Sequence, residues 1–413
     1  MLTPEHACRA CGGPIEPFLP LGDLPLANAL VAPDVAGASQ PRFPLTMTRC
    51  AACSLVQLAE TVDPAHLFSQ YNYLSSNSPA FVAHAQRLTE RLIVERELSA
   101  TSYVVEIASN DGYLLRHYRA ACVPVLGIEP AENIAQIARA QGIDTISQFF
   151  SLDLAMTLAR KGKAADVVHA NNVLAHVPDL RGVVAGLAAI LKPEGVVVIE
   201  VPYLRDLLDT LAFDTVYHEH LCYFALTPLV SLFAAQGLRI VDVERLAIHG
   251  GSLRLFAQHE GRAPVRESVV RLLAEESAWG IDNTQVYERF ADDVRAFRPT
   301  LREFLRGLRA AGKSIAAYGA AAKGTTLLNY CGIGRETIDF VVDRGALKQG
   351  MAMPGLEIPI LAPEELMHRR PDYLLLLAWN FAGEIMAQQQ AYARSGGRFI
   401  IPVPQPRVVE PAY

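Results

Sequence analysis

Between Val104 and Glu129 the chain spells out one strand, a tight turn, a helix and a second strand that ends in an acid. Val104-Val105-Glu106-Ile107 is a β-branched apolar run. Ala108-Ser109-Asn110-Asp111-Gly112 is too polar to continue it, and Tyr113-Leu114-Leu115 then opens a helix. Val125-Leu126-Gly127-Ile128 returns as a strand and delivers Glu129 and Pro130 at its end. Two parallel strands joined this way need a sheet covered on both faces, which makes the fold class α/β. A unit of this kind is also how a Rossmann-type sheet receives an adenosine-containing ligand. Glu129 lies 23 residues after Glu106, where a carboxylate can accept both ribose hydroxyl protons. The alternative is a buried crossover with no ligand.

The turn discriminates between ligands. A dinucleotide requires glycines that let backbone approach a pyrophosphate at the helix N-terminus. Here only Gly112 is present, with Asp111 beside it and Glu106 at the strand end. Carboxylates repel phosphate and suit an ammonium group. S-adenosylmethionine carries adenosine and an α-amino group without phosphate. Its usual pattern, acid-x-Gly-x-Gly-x-Gly, has Ala108 and Asn110 at the first two glycine positions, and Asn tolerates positive φ.

Two Cys-x-x-Cys pairs, Cys8/Cys11 and Cys50/Cys53, account for four of the seven cysteines. Four thiolates in two such knuckles form a closed tetrahedral Zn²⁺ site, hence a structural one. An odd cysteine count with metal-type spacing indicates a reducing compartment, and the N-terminus has no secretory pattern, so a cytoplasmic location is expected. At 413 residues, the chain has room for two or three domains. A net charge of -6 argues against a nucleic-acid partner, and no apolar run is long enough for a membrane span.

Further along, Tyr71-Asn72-Tyr73-Leu74-Ser75-Ser76 is too polar for core and reads either as a lid over a ligand or as a capping loop. Ser78-Pro79 then opens an amphipathic helix to about Leu98. Strands follow at 143–146, 166–170 and 196–200, with Phe149 placed to flank an adenine ring. Asn171, Asn172 and His176 fall at the carboxyl edge of the sheet. Tyr217-His218-Glu219-His220 sets four titratable side chains in a row, which suits a base near neutral pH with a carboxylate and a phenol to tune it. Satisfied structural histidines are the alternative. A helix capped by Thr227 runs to Gly237, and strands at 239–243 and 252–256 form an antiparallel pair joined through His249-Gly250-Gly251. Residues 262–311 read as helical and broken at Pro299. A second sheet begins near Lys313. Its turn Gly319-Ala320-Ala321-Ala322-Lys323-Gly324 can cradle an anion or serve close helix–strand packing, and Asp343 lies 24 residues after Gly319.

Together these motifs resemble the bacterial nucleotide-sugar C-methyltransferases that make branched deoxysugars. The resemblance rests on the paired knuckles, Tyr71–Ser76, Glu106–Gly112, Tyr217–His220, His249-Gly250-Gly251-Ser252 and Gly319–Gly324, and it spans nearly the whole chain. It implies a zinc-binding domain over residues 1–65, a class I S-adenosylmethionine domain over 66–260, and a Rossmann-like domain over 261–413 that helps to hold the nucleotide sugar. It also implies that His220 is the base, assisted by Tyr217 and Glu219. Expected cofactor contacts are Tyr71, Ser75, Glu106, Ser109, Asn110, Gly112, Glu129, Pro130, Phe149, Asn171 and Asn172. Expected substrate contacts are Tyr73, His176, His218, His249 and Lys323. The expected reaction is proton abstraction next to a ketone followed by methyl transfer to carbon. Competing readings are a nicotinamide-dependent nucleotide-sugar oxidoreductase and a non-enzymatic zinc-ribbon binding protein. The sequence leaves the oligomeric state, the sugar and the ring carbon open.

Overall fold

The computed structural model describes residues 2–33, 40–68 and 74–409. The N-terminal portion is built from strands β1 (Leu2–Pro4), β2 (Ile15–Leu24), β3 (Phe43–Cys50), β4 (Val56–Leu58) and β5 (Glu60–Val62). Its turns are tight because the knuckles need them to be. Gly12 sits at φ 76°, and its N–H donates to the Cys8 carbonyl at 2.8 Å, which folds the first knuckle back on itself.

The central portion contributes β6 (Val104–Ile107), β7 (Val125–Ile128), β8 (Thr145–Ile146), β9 (Ala165–Asn171), β10 (Leu191–Pro202), β11 (Cys222–Tyr223), β12 (Leu238–Leu246) and β13 (Ser252–His259). Seven of these form one sheet in the order β12-β13-β10-β9-β6-β7-β8. Strands β8, β7, β6, β9 and β10 run parallel, and β13 is antiparallel to both β10 and β12. This is the class I methyltransferase arrangement expected from the sequence. All four residues of β6 are buried, as a central strand covered on both faces requires. The helix Pro79–Glu95 covers one face, capped by the Ser78 hydroxyl, which accepts the Phe81 N–H at 3.3 Å.

Strand β11 leaves the central sheet's company. It pairs with β4, so that the order β11-β4-β3-β2 crosses from one portion to the other. The residues just before β11 are therefore fixed against the zinc-binding segment. The C-terminal portion has β14 (Ile315–Tyr318), β15 (Val341–Val342), β16 (Ile360–Leu361), β17 (Tyr373–Leu376), β18 (Arg398–Ile401) and β19 (Arg407–Val409), in the order β16-β15-β14-β17-β18-β19. Its topological switch point lies between β14 and β17, where α/β sheets open a crevice for ligands.

Two local expectations need correction. The helix Leu226–Ala234 is not capped by Thr227; instead, the buried Glu276 carboxylate accepts the Leu226 and Thr227 N–H groups at 2.7 and 2.8 Å, acting from another helix, Glu267–Trp279. Pro299 does not break its helix, which runs uninterrupted over Thr284–Ala310. Phe297, Leu301 and Leu305 are buried on either side of it. Their burial, roughly 1.5–3 kcal/mol per large apolar side chain, outweighs the ~3 kcal/mol cost of an interior proline. Among the described residues no helix is long and apolar enough to cross a membrane.

Candidate active site

The turn after β6 has the conformation its sequence demands. Ala108, Asn110 and Gly112 have φ of 51°, 50° and 77°. A Cβ on Gly112 would meet Ile143 Cγ1 at 2.8 Å, so the third glycine position accepts nothing larger. Glu129 at the end of β7 steadies the turn. Its two carboxylate oxygens accept the Asn110 and Ala131 N–H groups, both at 2.9 Å, and each keeps a further lone pair for a ribose hydroxyl. Pro130 is partly exposed beside it.

Burial leaves several polar atoms of this turn unpaired. Among the described residues, Glu106 Oε2, Ser109 Oγ and Asp111 Oδ1 are buried without a hydrogen-bond partner, and so is Asn171 Oδ1 at the end of β9. Burial raises the Glu106 carboxyl well above the usual carboxylate range, and the nearby Asp111 and Glu129 raise it further. Clustered carboxylates with open acceptor atoms call for a cation that brings hydrogen-bond donors. The ammonium of S-adenosylmethionine is such a group, and a pyrophosphate would be repelled. The residues present therefore fit this cofactor.

Ser75 reaches the same turn from the helical turn Ser75–Asn77, where its N–H donates to Asn110 Oδ1 at 2.9 Å. Tyr71 and Tyr73 lie outside the described residues. Asn172, at φ 57°, continues the edge beyond β9, and its N–H donates to the Glu200 carbonyl at 2.7 Å. Phe149 presents an exposed ring after β8, at 48% exposure.

The Tyr217–His220 run lies between a short 3₁₀ turn, Phe213–Thr215, and β11. His220 Nδ1 is 2.9 Å from the Thr215 carbonyl, and its Nε2 is 2.9 Å from the Tyr217 hydroxyl. The carbonyl can only accept, so Nδ1 carries the proton and Nε2 offers its lone pair to the phenol. The ring of His176 stands 4.9 Å from that of His220, with its Nδ1–H donated to the Glu219 carbonyl at 2.7 Å. The packing around His176 lowers its pKa, and the Glu219 carbonyl pulls it back upward.

Glu219 is buried, and burial pushes its carboxyl up to about 7, opposed by one amide, Asn28. Asn28 Nδ2 donates to Oε1 and Oε2 at 2.7 and 2.9 Å, from 191 residues away. Nothing in the local sequence marks Asn28. His218 differs from expectation: its buried ring donates Nε2–H to the Phe43 and Pro44 carbonyls of β3. That ring fastens the run to the zinc-binding segment. The side chain of His249 is outside the described residues, and its backbone forms the 3₁₀ turn Ile248–Gly250.

Lys323 begins the helix Ala322–Cys331 after β14. Its ammonium lies 4.4 Å from the centre of the Trp379 ring and 3.1 Å from Asn380 Oδ1, both at the carboxyl end of β17. Trp379 Nε1–H in turn donates to Asp214 Oδ2 at 2.6 Å, just upstream of Tyr217. Burial lowers the Lys323 pKa, and Asp214 opposes this. The C-terminal switch point and the Tyr217–His220 run thus share a boundary. Gly324 has a packing role, since a Cβ there would meet Leu377 Cβ at 2.9 Å. Asp343 closes part of the turn by accepting the Ala320 N–H at 2.8 Å.

The sulfurs of Cys8, Cys11, Cys50 and Cys53 all lie within 4.8 Å of one another, and the Gly13 N–H points at Cys11 Sγ from 3.3 Å. Four thiolates with an amide donor match a closed, structural zinc centre.

Family models match in three blocks: "Putative zinc binding domain" over residues 8–68, "Methyltransferase domain" over 81–243, and "C-methyltransferase C-terminal domain" over 247–404. The C-methyltransferase NovU of Streptomyces niveus is 39% identical over 417 residues, spanning 99% of this chain and 98% of that protein. Two solved structures are more distant. The CcbJ methyltransferase of Streptomyces caelestis is 14% identical with TM-score 0.37, over 48% of this chain and 99% of that one. The magnesium protoporphyrin IX methyltransferase of Synechocystis PCC 6803, solved with bound SAM, is 15% identical with TM-score 0.33, over 43% and 79%. Scores that low carry no weight, and the assignment rests on the full-length relative and the three ordered blocks. The chain belongs to the C-methyltransferase family, dependent on S-adenosylmethionine and carrying an N-terminal zinc-binding domain.

Proposed function

We propose that this C-methyltransferase acts on a nucleotide-linked keto-deoxysugar in the cytoplasm, with His220 as the base. Carbon becomes nucleophilic when a proton is lost beside a carbonyl, so the enzyme needs a neutral base and a donor for the enolate oxygen. The observation that carries the reading is the pair of bonds on His220: one fixes the tautomer through Thr215, and the other holds the Tyr217 hydroxyl on the basic nitrogen. In this reading, Nε2 takes the α proton of the sugar. The Tyr217 hydroxyl released from Nε2 donates to the oxygen that becomes an enolate. Bound S-adenosylmethionine supplies the electrophilic methyl group for the carbon. Glu106, Asp111 and Glu129 hold its ammonium and ribose, and Ser75, Ser109, Asn110, Asn171 and Asn172 line the same edge.

Residues 1–65 hold zinc, 66–260 the cofactor, and 261–413 help to hold the nucleotide, with Lys323 and Asn380 offering donors to its phosphates. The Asp343 carboxylate on the Ala320 N–H disfavours a dinucleotide at that turn, which counts against the oxidoreductase reading. A panel of nucleotide-linked keto-deoxysugars, incubated with labelled S-adenosylmethionine and analysed by mass spectrometry and NMR, tests the proposal. One new methyl group on a ring carbon next to the ketone supports it. Methylation on oxygen, or no transfer to any sugar by enzyme that binds the cofactor, refutes it.

A further inference from the structure

The segment around Asn28 touches all three portions of the molecule. Ala27 offers its carbonyl to Thr325 Oγ1 at 2.9 Å, inside the C-terminal helix Ala322–Cys331. Val31 exchanges two backbone hydrogen bonds with Ala352, at 3.0 and 2.8 Å. Between these two anchors, Asn28 turns its amide to Glu219 of the central portion and contacts both carboxylate oxygens. The backbone on either side of Asn28 is thus tied to the C-terminal portion, and its side chain ends on the proposed catalytic run. His218 fastens the neighbouring residue of that run to β3 in the same way.

Among the described residues, Asn28 is the one hydrogen-bond donor to the Glu219 carboxylate. Glu219 is 5% exposed, while Asn28 is exposed at the rim. Of the titratable groups around Glu219, His176 is bonded to its backbone carbonyl, His220 to Tyr217, and His218 to the β3 carbonyls, so none of these bonds ends on the carboxylate. His218 is engaged with carbonyls and held below its ordinary pKa by burial, so it brings no charge near neutral pH. A buried carboxylate without a cation stays ionised only as far as hydrogen-bond donors stabilise it.

We propose that Asn28 is a positioning residue for the reaction: its amide holds the Glu219 carboxylate ionised and oriented beside the base, so the zinc-binding portion is part of the active site. The inference rests on reading Tyr217–His220 as the catalytic run. It gives the zinc centre a catalytic consequence without a catalytic metal, because the fold it ties down carries Asn28 and the β3 carbonyls that receive His218.

Carbon-13 NMR of glutamate-labelled enzyme reads the ionisation directly, with the Glu219 signal assigned by its loss in Glu219→Gln. The midpoint should lie near 7 in the wild type. In Asn28→Ala it should rise by about one to two pH units, the size of a lost hydrogen bond to a charged group. The acidic limb of kcat should move up by the same amount. Adding Asn28→Ala to Glu219→Gln should change nothing further. Retained zinc content and S-adenosylhomocysteine affinity would show that Asn28→Ala is folded. An unmoved midpoint overturns the inference while leaving the catalytic run intact. If Glu219→Gln turns over like wild type, Glu219 leaves the reaction and Asn28 with it.

Discussion

The Tyr217 hydroxyl lies 2.9 Å from His220 Nε2, the ring nitrogen left unprotonated when Nδ1–H is donated to the Thr215 carbonyl. In the proposed mechanism this tautomer accepts the proton, and the substrate displaces the phenol from the lone pair. Tyr217→Phe should keep the imidazole in place and remove only the hydroxyl. Turnover should fall on the order of 10²-fold, as for loss of one oxyanion donor, with cofactor affinity unchanged. Steady-state kinetics beside calorimetry with S-adenosylhomocysteine would separate the two effects. Wild-type kcat in Tyr217→Phe would remove the phenol from the mechanism.

Glu129 should account for much of the ribose binding. Glu129→Ala should weaken S-adenosylmethionine binding by on the order of 1.5–3 kcal/mol, the range for hydrogen bonds to a charged group. The substitution also frees the Asn110 and Ala131 N–H groups, so a circular dichroism melt should accompany the calorimetry. Equal affinity in a folded variant would place the ribose elsewhere.

Burial of Glu219 has a stability signature. Its folded pKa of about 7 lies above the 4.5 expected for an exposed glutamate. The folded state therefore binds more protons than the unfolded state between these values, and stability falls as pH rises from about 4.5 to about 7. Glu219→Gln should lose that penalty, and its advantage over wild type should grow across this window to at most about 3 kcal/mol. Thermal melts of both proteins without cofactor, from pH 5 to about 8, give the difference directly. A difference independent of pH would mean that burial does not raise the Glu219 pKa.

The zinc centre predicts a folding dependence. Metal analysis should find about one zinc per chain, and Cys50→Ser should lower the melting temperature or the soluble yield. His218 ties the Tyr217–His220 run to this segment and Asn28 reaches the run from it, so partial metal loss should reduce turnover before the central sheet melts. Chelator titration followed in parallel by activity and by circular dichroism checks the order. Full activity and unchanged stability in metal-free protein would refute a structural zinc.

Short-range chemistry was legible in the sequence. The unit from Val104 to Glu129, the knuckles and the Ser78 cap are each set by neighbours a few residues apart. The helix through Pro299 and the cap from Glu276 were not legible, because distant packing decides both. The Tyr217–His220 run stood out as a cluster, and only the family resemblance, not the local chemistry, divided tasks within it. Only the fold shows that His218 turns to β3 while His220 pairs with Tyr217. Asn28 lies in a turn, and Trp379 and Asn380 in the short 3₁₀ helix Trp379–Phe381, none of them within a motif. Their partners, Glu219, Asp214 and Lys323, stand 191, 165 and 57 residues away, beyond any local pattern.

The central claim is that His220 removes the proton next to the ketone. It is tested most directly by following solvent deuterium into the keto-sugar by NMR, with S-adenosylhomocysteine in place of the methyl donor. Wild-type enzyme should wash deuterium into the carbon destined for methylation. His220→Asn should bind S-adenosylhomocysteine normally and exchange about 10²–10⁴-fold more slowly, the usual loss for a general base. Exchange at the wild-type rate in His220→Asn would contradict the account and move the base to another residue.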